Sequence, residues 1–262
     1  MVLACRNENS AEEAITKIKK HEGKGTLEKA HLDLSSLDSV KQFALSFLQN
    51  HTKLDILINN AGIMIPPAAT TAEGYELQFG VNFLGHFALT GYLYPLLKPT
   101  MGSRIVNLTS LAYTQGTINF ENLRLQLPYN AMREYQQSKL ANILFTLELQ
   151  RRIKKAGDDI LSLAAHPGVT KSELSRNMSD TDYNAAVETY GELMDTWQGA
   201  LPSLYAATVK DVKGSDFYGP DKDGGLRGYP TLTDITPVGK DEATAKRLWD
   251  FAERVTGVTY PL

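Results

Sequence analysis

Cysteine is almost absent from this 262-residue chain. Cys5 stands alone, so no internal disulfide can form and nothing points to an oxidised, secreted protein. A single thiol also excludes a thiolate zinc cluster. The five histidines (His21, His31, His51, His86 and His166) show no HExxH and no paired i, i+4 spacing, so no metal is expected. No run approaches the roughly 18 to 20 apolar residues of a membrane span, and no charged-then-apolar signal segment leads the chain. The expectation is a cytoplasmic protein without a membrane span. A net charge of −3 gives no electrostatic reason for nucleic acid or an anionic membrane as partner. Internal repeats, low-complexity tracts and linker-like stretches are lacking too, so residues 1–262 read as a single domain.

What is present has a regular rhythm. Apolar content of 42% with 22% charge is that of an ordinary globular protein with a substantial core. Short apolar runs at Val2–Cys5, Leu27–Leu32, Leu54–Ile58, Arg104–Leu108 and Ile160–Ala165, with a weaker one at Asp216–Tyr218, read as strands. Helical patterns lie between and after them: Ser10–His21, Leu37–Asn50, Tyr75–Leu97, Ala131–Ala156 and Tyr183–Val209. Strand, helix, strand in turn predicts an α/β fold, a mostly parallel sheet covered by helices on both faces.

Such a sheet binds ligands in the crevice beyond the carboxyl ends of its strands. Polar and turn-forming residues gather there: Asn59-Asn60-Ala61-Gly62, then Thr109-Ser110, then His166-Pro167-Gly168-Val169-Thr170. Each cluster alone could be a turn. Tyr135 and Lys139 stand four apart on a helical pattern and so share a face. A cation near a phenol favours the phenolate, which makes the pair suitable for general acid/base work. The same spacing occurs on any amphipathic helix, so the pair takes its meaning from its surroundings.

With those surroundings, the chain resembles the short-chain dehydrogenase/reductase family. Asn59-Asn60-Ala61-Gly62 matches the family's NNAG segment, and Asn82 its helix asparagine. Ser110 matches the catalytic serine, Tyr135 and Lys139 the YxxxK pair, and Pro167-Gly168 the turn after the fifth strand, all in the family's order. Ala4-Cys5-Arg6-Asn7, Val81-Asn82-Phe83-Leu84-Gly85-His86-Phe87 and Ala165-His166-Pro167-Gly168-Val169, with 25 residues from Ser110 to Tyr135, look like its retinol-dehydrogenase-like branch.

The resemblance implies a Rossmann-like doubly wound sheet and an oxidoreductase that interconverts a carbonyl and an alcohol by hydride transfer. Tyr135 would exchange the proton with substrate oxygen and Ser110 would hold that oxygen. Lys139 would bind the nicotinamide ribose and lower the Tyr135 pKa, while Asn82 would hold a water continuing the relay. Asn60, Ala61, Gly62, Pro167, Gly168, Val169 and Thr170 would line the cofactor, with Asp33 and Leu34 at the adenine, although an Asp there also suits a cap. Cys5 stands where family members that use NAD carry an acid, and Arg6 follows it. A planar guanidinium suits a 2′-phosphate, so NADP(H) is expected over NAD(H). The substrate would be a small aldehyde, ketone or alcohol, residues 170–235 would form the substrate lid, and a homo-oligomer is an open expectation.

One family element has no counterpart in these 262 residues. The glycine-rich TGxxxGxG turn that seats the pyrophosphate is missing, and the only GxG, Gly23-Lys24-Gly25, lies between a helix and a strand. The expectation is therefore a sheet without its first strand and first helix, leaving Val2–Cys5 and Leu27–Leu32 without their inner neighbour and cofactor binding weakened. A cofactor-poor pseudoenzyme kept as a regulatory binding module is the alternative; joint retention of Ser110, Tyr135, Lys139 and Asn82 counts against it. A light-dependent pigment reductase, a related branch, finds little support in a lone cysteine far from the Tyr–Lys helix.

Overall fold

The computed structural model describes residues 1–21, 23–191 and 193–262. Among the described residues there are seven strands and eight α-helices. Strand β1 (Val2–Cys5) leads through α1 (Glu8–Lys19) to β2 (Glu28–His31), and α2 (Leu37–Asn50) follows. Strand β3 (Ile56–Asn59) is succeeded by a helical stretch built of α3 (Leu77–Phe79), a π-helical turn at Gly80–Leu84 and α4 (Gly85–Leu97). Then come β4 (Ser103–Leu108), α5 (Ala131–Ala156), β5 (Ile160–Ala165), α6 (Asp180–Tyr190), α7 (Thr196–Thr208), the strands β6 (Phe217–Lys222) and β7 (Arg227–Leu232), and α8 (Glu242–Thr256).

The sheet comes in two pieces, a parallel pair β1-β2 and a five-stranded piece in the order β3-β4-β5-β6-β7. Within the larger piece β3 to β6 run parallel and β7 closes the edge antiparallel to β6. Helix packing joins the two. Val40 and Ala44 of α2, with Leu32 and Leu34, pack against Ala88, Leu89 and Leu93 of α4 in one buried cluster. A second, larger cluster is aromatic: Phe79, Phe83 and Phe87 meet Phe145 of α5 and, from the C-terminal region, Trp249 and Tyr260. It packs around one face of α5, so the 26-residue helix is buried along most of its length. Asn130 caps the α5 N-terminus by accepting from Arg133 N–H, and Gly157 closes its C-terminus in the left-handed region at φ 77°.

Two of the helices expected from sequence are divided. The pattern over Tyr183–Val209 becomes α6 and α7. Gly191, at φ 73°, ends α6, and Leu193 and Met194 then turn inward, where Met194 exchanges backbone hydrogen bonds with Val169 and Lys171. The pattern over Tyr75–Leu97 starts later, because Tyr75 O accepts from Thr71 N–H and the Glu76 carboxylate caps the amides of Gln78 and Phe79. Its π turn, in which Gly85 N–H reaches back to Gly80 O, is a local widening of the kind found at functional sites. No helix among the described residues is long and apolar enough to cross a membrane.

Candidate active site

The ends of strands β3, β4 and β5, the helix α5 and the π turn build the site. Strand β4 ends at Leu108, and the buried Thr109 hydroxyl donates to Lys139 O at 2.8 Å, pinning α5 to that strand end. The Leu108 carbonyl accepts from Asn142 Nδ2 at 2.8 Å and, more loosely, from Lys139 Nζ at 3.5 Å. Ser110 follows as the cap of a short helical turn, its Oγ accepting from Ala112 N–H at 3.2 Å. The same hydroxyl faces the Tyr135 phenol and pulls its pKa down. The resemblance placed Ser110, Tyr135 and Lys139 in one reacting group, and the fold brings them to one point.

Asn82, on the π turn, faces the loop after β3. Its Oδ1 accepts from Ile63 N–H and its Nδ2 donates to Ile63 O, both at 2.9 Å, with a further bond to Ser138 Oγ. Ser138 in turn donates to Tyr135 O at 2.8 Å. A Cβ on Gly62 would lie 3.4 Å from Asn82 Oδ1 and 3.5 Å from Lys139 Nζ, so Gly62, Asn82 and Lys139 also meet. The side chain of Asn82 is thus fully engaged in holding the loop.

Burial dominates the electrostatics. It pushes Tyr135 up to about 12 against the opposing pull of the Ser110 hydroxyl, and it pushes Lys139 down to about 8. Lys139 Nζ lies 5.6 Å from the Tyr135 ring centre. The group that lowers the Tyr135 pKa in this structure is Ser110, whereas the Tyr–Lys spacing had assigned that part to Lys139. Among the described residues the buried ammonium has only the long hydrogen bond to Leu108 O. Such a cation is suited to acceptor hydroxyls brought by a ligand.

The expected cofactor residues divide. Gly168 lies in the left-handed region at φ 69°, where an added Cβ would come within 2.4 Å of Leu226 O; the Pro167-Gly168 turn therefore needs its glycine. Val169 N–H donates to Leu226 O and Thr170 pairs in a bridge with Met194, so this segment is tied to the chain between α6 and α7 and to the turn between β6 and β7. Asn60 and Ala61 are exposed at the end of β3. Arg6 is exposed after β1, where Arg6, Asn7, Glu8 and Asn9 border a shallow cavity of about 380 Å³ at the start of α1. Asp33 serves largely as a turn residue, its Oδ1 accepting from both Ser35 N–H and Ser35 Oγ, and Leu34 is a core residue. Arg6, Asp33 and Leu34 follow the strands of the two-stranded piece, apart from the Ser110–Tyr135–Lys139 group.

Other residues take roles that the sequence did not assign them. Asn59 is the buried member of the Asn59-Asn60 pair: its Nδ2 donates to Thr90 Oγ1 at 3.0 Å and Asn107 Oδ1 at 2.8 Å, locking β3 to β4 and α4. His86 Nδ1 faces Asn82 O at 3.0 Å, which makes that nitrogen the protonated one. His166 Nδ1 accepts from Gly168 N–H at 3.3 Å, and its Nε2 has no partner among the described residues. Burial pushes both imidazoles down to about 4, so they are neutral at physiological pH. Ser138, three residues after Tyr135 and so on its face, carried the one usable signal in the sequence.

A parallel sheet with a Ser–Tyr–Lys group at its strand ends defines a class of nicotinamide-dependent oxidoreductases, and comparison with known proteins gives the same answer. The short chain dehydrogenase family model matches residues 1–183. The chain belongs to the short-chain dehydrogenase/reductase family and is an oxidoreductase. Within it the chain is similar to retinol dehydrogenases: it is 39% identical to human retinol dehydrogenase 13, over 100% of this chain and 78% of that protein. With mouse retinol dehydrogenase 14 the identity is 36%, over 98% and 78%. Among solved structures, an uncharacterized protein from Mycobacterium paratuberculosis superposes with TM-score 0.80 at 38% identity, covering 100% of this chain and 85% of that one. A Burkholderia cenocepacia short chain dehydrogenase in complex with NADP shares the fold at TM-score 0.62 and 20% identity, over 82% and 83% of the two chains.

Proposed function

We propose that the chain is an NADP(H)-dependent oxidoreductase that interconverts a carbonyl and an alcohol, with Ser110, Tyr135, Lys139 and Asn82 as its proton-handling group. The observation that carries this reading is the convergence of Ser110, the buried Tyr135 phenol and the buried Lys139 ammonium, 5.6 Å from the Tyr135 ring centre, at the end of β4. The bound nicotinamide supplies or accepts the hydride. Tyr135 gives the proton to a carbonyl oxygen, or takes it from an alcohol, and Ser110 donates to the same oxygen so that the charge developing there meets a fixed dipole. Lys139, predominantly cationic at neutral pH, would bind ribose hydroxyls, and on ligand binding its charge favours the phenolate. Asn82 keeps Ile63 and Ser138 in place, and with them the Gly62 loop and Tyr135 that would line the cofactor.

The NADP(H) preference rests on Arg6. Its guanidinium is exposed beside the cavity at the start of α1, where first-turn amides and a planar cation suit a phosphate. The remaining cofactor lining, Asn60, Ala61, Gly62, Pro167, Gly168, Val169 and Thr170 with Asp33 and Leu34 at the adenine end, and the reading of 1–262 as one domain with 170–235 as its lid, are parts of the same proposal. So is a cytoplasmic location, which the lone thiol at Cys5 suits. The names of the relatives make retinoids the first substrates to try. Turnover of a panel of aldehydes and ketones, retinaldehyde included, with NADPH and with NADH is the test, in the parent and in Tyr135→Phe. Loss of a hundredfold or more in kcat is expected for Tyr135→Phe; activity within twofold of the parent refutes the relay.

A further inference from the structure

We propose that Gln78 is a positioning residue for this reaction, an amide that fixes the loop beside Gly62 and the start of the Tyr135 helix against each other. The proposal rests on the reading of Tyr135 above. The loop Ile63–Pro66 has no regular structure, yet each of its residues has a backbone group bonded to a side chain from elsewhere. Asn82 takes both polar groups of Ile63. Asn177, in the lid region, donates to Met64 O at 3.2 Å. Gln78 Oε1 accepts from Ile65 N–H at 2.9 Å, and Tyr129 OH donates to Pro66 O at 2.7 Å. Ile65 needs such a hold, because its φ of 43° is an unfavourable conformation for a β-branched residue and persists only where the surroundings enforce it.

Two members of this set reach α5: Asn82 bonds Ser138 in its second turn, and Gln78 holds its first residue. Gln78 Nε2 donates to Ala131 O at 2.8 Å and to Tyr129 OH at 3.2 Å, so one fully buried amide uses its acceptor and both of its donors. Ala131 opens α5 one turn before Tyr135, and in an α-helix its carbonyl is the one that accepts from the Tyr135 N–H. Gln78 is itself held by Glu76, whose carboxylate accepts its backbone N–H at 2.9 Å. From Ile65 the path to the Tyr135 backbone thus runs through the Gln78 side chain, beside the one that leads from Ile63 through Asn82 and Ser138. The task needs one acceptor and two donors together, which an amide offers and neither a carboxylate nor a thioether does. A misplacement of about 1 Å in a reacting group can cost on the order of a hundredfold in rate.

The test uses the full chain in four forms: parent, Gln78→Met, which keeps length without hydrogen bonds, Tyr129→Phe, which removes one partner, and Tyr135→Phe. Gln78→Met is expected to lower kcat at least tenfold with the KM for NADPH within threefold, and Tyr129→Phe to lower kcat less. Amide hydrogen exchange of Ile65 should accelerate tenfold or more in Gln78→Met, while protection over residues 140–156 stays as in the parent. A kcat within twofold of the parent in Gln78→Met, with Tyr135→Phe inactive, overturns the proposal. Loss of protection throughout α5 overturns it as well, since the role would then be general stability. Should parent and Tyr135→Phe turn over substrate equally, the Tyr135 reading falls, and unchanged exchange at Ile65 would separately remove the clamp.

Discussion

Lowering the pH from 7 to 4 perturbs three buried groups with opposed effects, and their balance gives a sharp expectation. His86 and His166 are held neutral by burial, with pKa values pushed from 6.5 down to about 4. The unfolded chain therefore binds more protons than the native state between about pH 6.5 and 4, and stability falls as pH falls through that window. At about 1.4 kcal/mol per pKa unit, each histidine withdraws about 3 kcal/mol by pH 4. Glu76 acts in the other direction. Burial, aided by the nearby Glu134, lifts its pKa from 4.5 to about 7, so the native state binds the extra proton and returns about 3 kcal/mol as pH falls through the same range. The net loss of about 3 kcal/mol is a large part of the roughly 5 to 15 kcal/mol that holds a domain folded. Urea unfolding followed by circular dichroism at pH 7 and pH 4 measures it. Comparison with variants isolates these groups from the ordinary surface carboxylates: His166→Gln should flatten the dependence and Glu76→Gln should roughly double it. Identical pH dependence in parent and His166→Gln would refute the argument.

Two further outcomes follow from single positions. Arg6→Ala should reduce kcat/KM with NADPH about tenfold to a hundredfold, the worth of one charged hydrogen bond, and leave NADH unaffected. Unfolding free energy should stay within about 0.5 kcal/mol because the side chain is exposed; a preference ratio that moves less than threefold removes Arg6 from the cofactor site. Gly219→Ala would place a Cβ 1.9 Å from His166 Nε2, where the ring is fully buried against Phe217. A urea midpoint corresponding to a loss of at least about 1 to 3 kcal/mol is expected, partly restored by adding His166→Ala.

The sequence alone carried the alternation of strands and helices, because period-two and period-3.6 apolar patterns are local and survive without a fold. Strands β1 and β5 fall where their apolar runs lie, and Ala131–Ala156 is the helix its pattern predicts. Tyr135, Lys139 and Ser110 were legible because their spacing and order are themselves sequence features. Strand β7 was not, since Arg227–Leu232 is a half-exposed edge with a proline and no clean alternation. Helix α8 has an apolar stripe but stands beyond the region matched to a motif, and what it covers on α5 lies about a hundred residues away in the chain.

What folding added was the assignment of polar residues to tasks. Asn59 and Asn60 are adjacent and chemically identical, yet one bridges two buried elements and the other faces solvent, a choice made by the pleat of β3 and the position of α4. Gln78 and Glu76 look like ordinary helix residues and become buried anchors because the loop at Ile65 and the start of α5 converge on them. Lys139, whose place near Tyr135 the spacing announced, owes its low pKa to burial between β4 and α5. Local patterns specify which elements form; hydrogen-bond partners, burial and pKa depend on contacts between residues far apart in the chain, and those exist only once the elements have packed.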